Sequence, residues 1–242
     1  MGIFLAGAGA DYDSFPDVFK RFVEDIPRPG VEGRPLRIAV VVHHRGGCPE
    51  SVLQDYAAPL RSLAYCEVVP VLLRAGGPAD PAVFDRVDAV VVGGGLTPAY
   101  LTGLQGCGSA IAARVADGFP YLGFSAGAMI APGAGIVGGY RIGGVEVCGE
   151  ECSEDLDEVE VRAGLGLVPF AVDVHAAQAG TLSRAVGAVA AGLVDRAVAV
   201  DEDTAIVLRD GGGDFEVIGS GNCWDIRRSG TGCSVSIRPA VN

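Results

Sequence analysis

The sequence predicts an α/β protein whose core is a parallel sheet covered by helices, and three observations carry that prediction. Short apolar runs at Ile3–Ala6, Leu36–Val42, Cys66–Leu73 and Val87–Val92 read as strands. Between them lie segments with helical spacing, Phe15, Val18, Phe19, Phe22 and Val23 in the first and Ser51–Leu63 in the second. This strand–helix alternation is the signature of a parallel sheet. Finally, the run Phe119–Phe124 ends in Gly123-Phe124-Ser125-Ala126-Gly127, where a strand turns sharply into a helix.

That G-x-S-x-G turn is the centre of the reading. A serine on such an elbow has a strained backbone and an exposed hydroxyl, and the flanking glycines remove side chains that would collide. The helix that follows offers unpaired N–H groups and a positive dipole end to an oxyanion.

Composition limits what the protein can be. The 242 residues, 49% of them hydrophobic and 20% charged, suffice for one sizeable domain, read here as residues 1–242. No apolar run reaches the ~18 residues that span a bilayer. The opening Met1–Gly7 lacks the basic region of a signal peptide, so a cytoplasmic location is expected. Seven cysteines without regular spacing argue for reduced thiols. Cys148 and Cys152 form the closest pair, but no histidine or second pair completes a zinc site. A net charge of -12 speaks against nucleic acid and membrane partners and favours a basic or neutral substrate.

Taken in order, the first strand enters Gly7-Ala8-Gly9-Ala10-Asp11, which lacks the third glycine and distal acid of a dinucleotide fingerprint. The segment Pro27–Pro35, with Pro29 inside it, reads as a loop. The second strand ends in His43-His44, at the sheet edge where such folds bind ligands, making either histidine a candidate substrate contact or the two an exposed loop pair. The fourth strand ends in Gly93-Gly94-Gly95-Leu96, a loop able to supply a second oxyanion donor. Residues Gly133–Val147 read as strands or a hairpin, and Glu150–Glu160 as a solvated acidic loop or lid. A buried strand over Leu165–His175, a helix over Thr181–Leu193, the acidic turn Asp201-Glu202-Asp203 and an alternating antiparallel tail over Phe215–Ile237 complete the chain.

The blocks Gly93-Gly94-Gly95, Gly123–Ala128, Asp173-Val174-His175 and Asp201–Ala205, in this order and spacing, resemble the serine peptidases that include cyanophycinase and dipeptidase E. The resemblance runs from near the first strand to about Leu208. It implies a flavodoxin-like, class I glutamine amidotransferase-like α/β sandwich, with serine where the amidotransferases carry cysteine and helices on both faces of a mostly parallel sheet. It also implies that Ser125 is the nucleophile, His175 the general base and Glu202 the third triad member; the neighbouring Asp173 and Asp201 stay open as alternative acids. Gly95 and Ala126 would form the oxyanion hole, with Gly94 as a replacement. No metal or organic cofactor is implied. A homodimer is, with the alternating tail as a candidate interface.

The departures fall among the candidate substrate-binding residues. Leu96 and Val174 stand where cyanophycinases carry a polar glutamine or similar residue, and Ala179 and Thr181 stand where they carry arginines, leaving Arg184 beside Asp173. The expected activity is therefore hydrolysis of a peptide or isopeptide bond in a small substrate, through an acyl-enzyme, with an altered specificity pocket. Two other readings stay open: a non-catalytic binding protein of the same fold, and a serine esterase. The α/β-hydrolase esterases order their triad serine, acid, histidine, whereas no histidine follows His175 here.

Overall fold

The computed structural model describes residues 2–28, 33–74, 77–209 and 213–241, so Pro29 of the predicted loop lies outside it. In chain order, β1 (Ile3–Ala6), α1 (Pro16–Glu24), β2 (Leu36–His43), α2 (Glu50–Leu63) and β3 (Cys66–Leu73) follow the sequence reading closely. Strand β4 (Ala89–Val92) starts two residues later than expected. Just before it, the Asp88 N–H donates to the Arg37 carbonyl at 2.6 Å, and the Asp88 carboxylate takes both Arg34 guanidinium nitrogens at 2.8 and 2.9 Å.

Two helices that the sequence did not signal follow, α3 (Thr97–Gly103) and α4 (Gly108–Ala116). The first carries a proline in its opening turn, and the second buries only Ile111 and Val115 in an alanine-rich stretch, so neither shows strong periodicity. Strand β5 (Tyr121–Phe124) then leads through Ser125 into the single-turn α5 (Ala126–Met129).

The rest of the chain supplies β6 (Ala134–Gly138), the small hairpin β7 (Arg141–Ile142) and β8 (Val145–Glu146), and β9 (Glu160–Ala163), which pairs antiparallel with β6. Then come β10 (Ala171–Val174), α6 (Leu182–Ala190), β11 (Arg196–Val200), β12 (Thr204–Leu208), β13 (Glu216–Gly219), β14 (Asn222–Ser229) and β15 (Gly232–Pro239). The strand expected over Leu165–His175 is thus confined to its last third. Before it, the backbone turns aside so that the Leu165 and Leu167 N–H groups donate to Ile130 and Ala131, each at 2.8 Å. Helix α6 ends three residues short of Leu193.

The main sheet runs β13-β12-β1-β5-β4-β2-β3. Its five strands from β1 to β3 are mutually parallel, and β12 and β13 extend it antiparallel. Alternate residues divide between two cores, as a period of two requires. Phe4, Val40, Val91, Leu122 and Phe124 face α1 and α2, with Phe19, Phe22, Tyr56 and Leu60 packed against them. Leu5, Val41, Val92 and Tyr121 face the other core with Ile111, Met129 and Val189. Strands covered on both faces become continuously apolar, which made them easy to read.

Strands β10 and β11 do not join the main sheet. They form a second sheet, β10-β11-β14-β15, parallel between β10 and β11 and antiparallel beyond. The architecture is mixed α/β with a mostly parallel central sheet flanked by helices, plus antiparallel strands from the C-terminal part. Among the described residues, no helix is long and apolar enough to cross a membrane.

Candidate active site

Ser125 sits at φ 47°, ψ −108°, a conformation that an L-residue adopts at a cost of about 1–3 kcal/mol. Its surroundings enforce the bend. A Cβ on Gly127 would lie 2.3 Å from the Val92 carbonyl oxygen, and one on Gly123 would lie 2.5 Å from the Gly127 backbone. The two glycines therefore let strand, turn and helix close on one another.

The partners of Ser125 come from the second sheet. His175 directly follows β10 at φ 57°, and its Nε2 lies 3.0 Å from Ser125 Oγ. Its Nδ1 lies 2.7 Å from Glu202 Oε1, in the turn after β11. The Glu202 N–H donates to Gln178 Oε1 at 3.0 Å, tying that turn to the residues after His175. The end of β1 joins the two sheets: the Ala6 carbonyl accepts from Ser125 N–H and the Gly7 carbonyl from His175 N–H, both at 3.0 Å. The glycine-rich stretch that failed as a dinucleotide fingerprint thus holds nucleophile and imidazole in register.

The alternative acids have other work. Asp201 is buried, and its carboxylate accepts from Ala177 N–H, Asn222 N–H and the Trp224 indole at 3.0, 2.9 and 3.3 Å. Asp173 is fully buried and binds both Nε and Nη2 of Arg184, at 2.8 and 2.6 Å. Glu202 alone among the three reaches the imidazole. Arg184 also donates to the Cys152 and Gly139 carbonyls at 2.5 and 3.3 Å.

This corrects the expectation for Asp173, Val174 and Arg184. All three are buried, so none presents a side chain to a substrate, and the Asp173–Arg184 pair instead ties β10 and α6 to the backbone at Gly139 and Cys152. Burial pulls the Arg184 pKa down, but the charge of Asp173 and its hydrogen bonds more than offset this and hold it above the ordinary value. Thr181, standing where an arginine was expected, is buried with its hydroxyl on the Val174 carbonyl.

The glycine loop after β4 is likewise more specialised than expected. The Gly94 N–H donates to the Tyr56 hydroxyl at 2.8 Å, and the Gly94 carbonyl accepts from the Tyr100 hydroxyl at 2.9 Å. Tyr100 in turn accepts from His43 N–H at 3.1 Å. Burial raises the pKa of both phenols, keeping them protonated in these bonds. Gly94 is therefore not available as a replacement oxyanion donor. The N–H groups of Gly95 and Ala126 have no partner among the described residues. Ala126 is buried in the first turn of α5, where a helix leaves its N–H groups unmatched.

Ser125, His175 and Glu202 open into a cleft of about 600 Å³ that is also lined by Ala8–Asp11, Asp55, Tyr56, Gly95 and Asp203. His43 and Leu96 line a different pocket, of about 420 Å³, together with Leu73, Arg74 and Pro98. The His43 imidazole is held below its ordinary pKa by burial, helped by His44 and Arg45. His44 lines neither of these two pockets. Among the described residues no group of His, Cys, Asp and Glu side chains could hold a metal. Sequence reasoning missed Tyr56, Tyr100 and Gln178, for which no local pattern exists.

An elbow serine, a histidine and a carboxylate in a hydrogen-bonded row beside two unmatched N–H groups define the class of serine hydrolases. Comparison with known proteins narrows this: a model of peptidase family S51 matches residues 77–215, more than half of the chain, and the protein belongs to that family. The family is that of cyanophycinase and dipeptidase E, and the protein is a serine-type peptidase. No match is found among curated protein sequences. Among solved structures, a peptidase from an acI-B1 Actinobacterium superposes with a TM-score of 0.70 at 19% identity, covering 100% of this chain and 95% of that one. A protein from Listeria monocytogenes EGD-e described as a peptidase E gives 0.58 at 17% identity, covering 90% and 98%. At such identities these likenesses speak for the fold.

Proposed function

We propose that the protein hydrolyses a peptide or isopeptide bond in a small peptide through an acyl-enzyme on Ser125. With His175 Nδ1–H donating to Glu202, Nε2 is left as the acceptor for the serine proton. Ser125 Oγ attacks the scissile carbonyl carbon while its proton passes to Nε2, and the oxyanion takes the Gly95 and Ala126 N–H groups. The leaving amine departs with the proton from Nε2. Water, deprotonated by the same nitrogen, then cleaves the ester and frees the acid. Glu202 fixes the imidazole tautomer and balances its charge. The observation that carries the reading is the continuous row Ser125 Oγ, His175, Glu202, with contacts of 3.0 and 2.7 Å.

The cleft wall narrows the substrate class. Asp11, Asp55, Glu202 and Asp203 line it, and among the described residues no arginine or lysine does. A peptide with a cationic group, an ammonium terminus or a basic side chain, suits this wall, whereas one with an acidic side chain meets repulsion. The absent arginines at Ala179 and Thr181 and the burial of Arg184 point the same way. The test is a mass-spectrometric screen of wild type and Ser125→Ala against α- and β-aspartyl peptides, arginine- and lysine-containing peptides and acyl esters. Cleavage of cationic peptides by wild type alone is the expected result. Cleavage of none, with no labelling of Ser125 by a fluorophosphonate, would return the protein to the non-catalytic reading.

A further inference from the structure

We propose that Glu154 is a positioning residue of the oxyanion loop, its carboxylate holding the Thr97 N–H so that Gly95 stays fixed against Ser125. The inference rests on the peptidase reading above, because it concerns the loop that would receive the oxyanion.

The segment Glu150–Glu160 reads in sequence as a solvated loop, and Glu151, Asp155, Asp157 and Glu158 are indeed exposed. Glu154 is not: its side chain is 19% exposed, and its Oε2 accepts from the Thr97 N–H at 3.1 Å. Thr97 is the first residue of α3 and fully buried, with its hydroxyl 3.6 Å from Met129 Sδ in the elbow helix. The stretch Gly94-Gly95-Leu96-Thr97 is therefore held at both ends. Tyr56 and Tyr100 grip Gly94 on one side, and Glu154 grips Thr97 on the other. Only Gly95 and Leu96 lie between, and Gly95, at φ 143°, carries one of the two unmatched N–H groups.

The backbone around Glu154 is shaped for this contact. Among the described residues five non-glycine residues have positive φ: Ser125, His175, Asp203, Glu154 and Asp155. The first two belong to the catalytic row, and Asp203 adjoins Glu202. Glu154 and Asp155, at 56° and 63°, complete a set concentrated around one site. Strained residues persist where surrounding structure over-determines them. Here the strain turns Glu154 inward to Thr97, and Asp155 outward to the Arg45 guanidinium at 2.7 and 2.9 Å, just beyond β2. Gly138 makes room, because a Cβ there would lie 2.5 Å from Glu154 Cβ. A loop that merely met solvent would need neither the inward carboxylate nor the space kept for it.

The test compares Glu154→Ala, which removes the acceptor, with Glu154→Gln, which keeps an oxygen in its place. Two quantities are read in each folded variant: amide hydrogen exchange at Thr97, and the saturation kinetics of Ser125 labelling by an alkyl fluorophosphonate, with Ser125→Ala as the blank. Glu154→Ala should speed Thr97 exchange by about tenfold and slow the limiting labelling rate by about 10- to 100-fold, with half-saturation nearly unchanged. Glu154→Gln should restore both to within about threefold. Unchanged exchange in Glu154→Ala, an unchanged labelling rate despite faster exchange, or equal losses in both variants would each overturn the proposal. Failure of wild type itself to be labelled would count against the peptidase reading, and the exchange arm would still decide whether Glu154 holds the loop.

Discussion

The two halves of the proposed catalytic row are held in place by different means. Ser125 leaves the main sheet from β5, a strand buried on both faces, and its position follows from backbone geometry: the positive φ, the two closely approached glycines and the N–H bond to Ala6. His175 shares a positive φ and a backbone bond, to the Gly7 carbonyl, but it and Glu202 leave the second sheet with side chains 31% and 42% exposed, and their relation to one another depends on one side-chain contact and on the turns that carry them. The first half resembles a piece of core that happens to bear a hydroxyl. The second is an open pair whose geometry rests on a buried carboxylate next door, Asp201, and on Gln178. Substitutions of Gly123 and Gly127 should accordingly cost stability in the first half, whereas truncating His175 or Glu202 in the second should cost activity alone.

The largest expected effect is loss of chemistry at the row itself. Ser125→Ala and His175→Ala should each lower kcat by about 10⁴- to 10⁶-fold in a peptide-cleavage assay while the melting temperature stays near that of wild type. Retained turnover in either would break the assignment of that half. Glu202→Gln should lower kcat by about 10²- to 10⁴-fold, again without loss of the fold, because its side chain is part exposed.

The neighbouring carboxylates sharpen the contrast by responding the other way. Removing Arg184 leaves the fully buried Asp173 without its charge partner, and Arg184→Ala should cost about 3–5 kcal/mol in urea unfolding. Asp201→Ala deprives four N–H donors of their acceptor and should cost about 1–3 kcal/mol, with activity lost only as far as the Glu202 turn shifts. A variant of Asp201 that kept full stability and lost all turnover would exchange its role with that of Glu202.

The smallest effect concerns pH. Burial raises the Glu154 pKa above the ordinary 4.5, against the opposing pull of Thr97 N–H, Arg184 and Arg45. The folded state then binds a proton more tightly than the unfolded one, so this group lowers stability as pH rises from 4.5 through the raised value, and adds nothing below it. Glu154→Gln should therefore melt slightly higher than wild type at neutral pH, and that advantage should vanish in acid. A gap that widened in acid would contradict the assigned direction.

The contrast between the halves also explains what the sequence revealed. Ser125, the glycine loop, His175 and Glu202 sit in short local patterns at the ends of apolar runs, and those runs are the strands themselves. The groups that hold them act from far away along the chain: Tyr56 reaches Gly94 across 38 positions and Glu154 reaches Thr97 across 57. Nothing in the sequence around either residue signals such a contact. Arg184 shows the reverse error. An arginine near a candidate base suggests substrate binding, and only its burial beside Asp173 shows that its charge is already matched. The second sheet was hidden for a related reason, since β10 and β11 carry the same apolar signature as strands of the main sheet.

The most direct test of the central claim is to treat wild type and Ser125→Ala with a fluorophosphonate and locate the adduct by peptide mass spectrometry. The account predicts one adduct, on Ser125 of the wild type, formed slowly in Glu202→Gln and absent from Ser125→Ala. An adduct on another residue, or equal labelling of the two proteins, would contradict it.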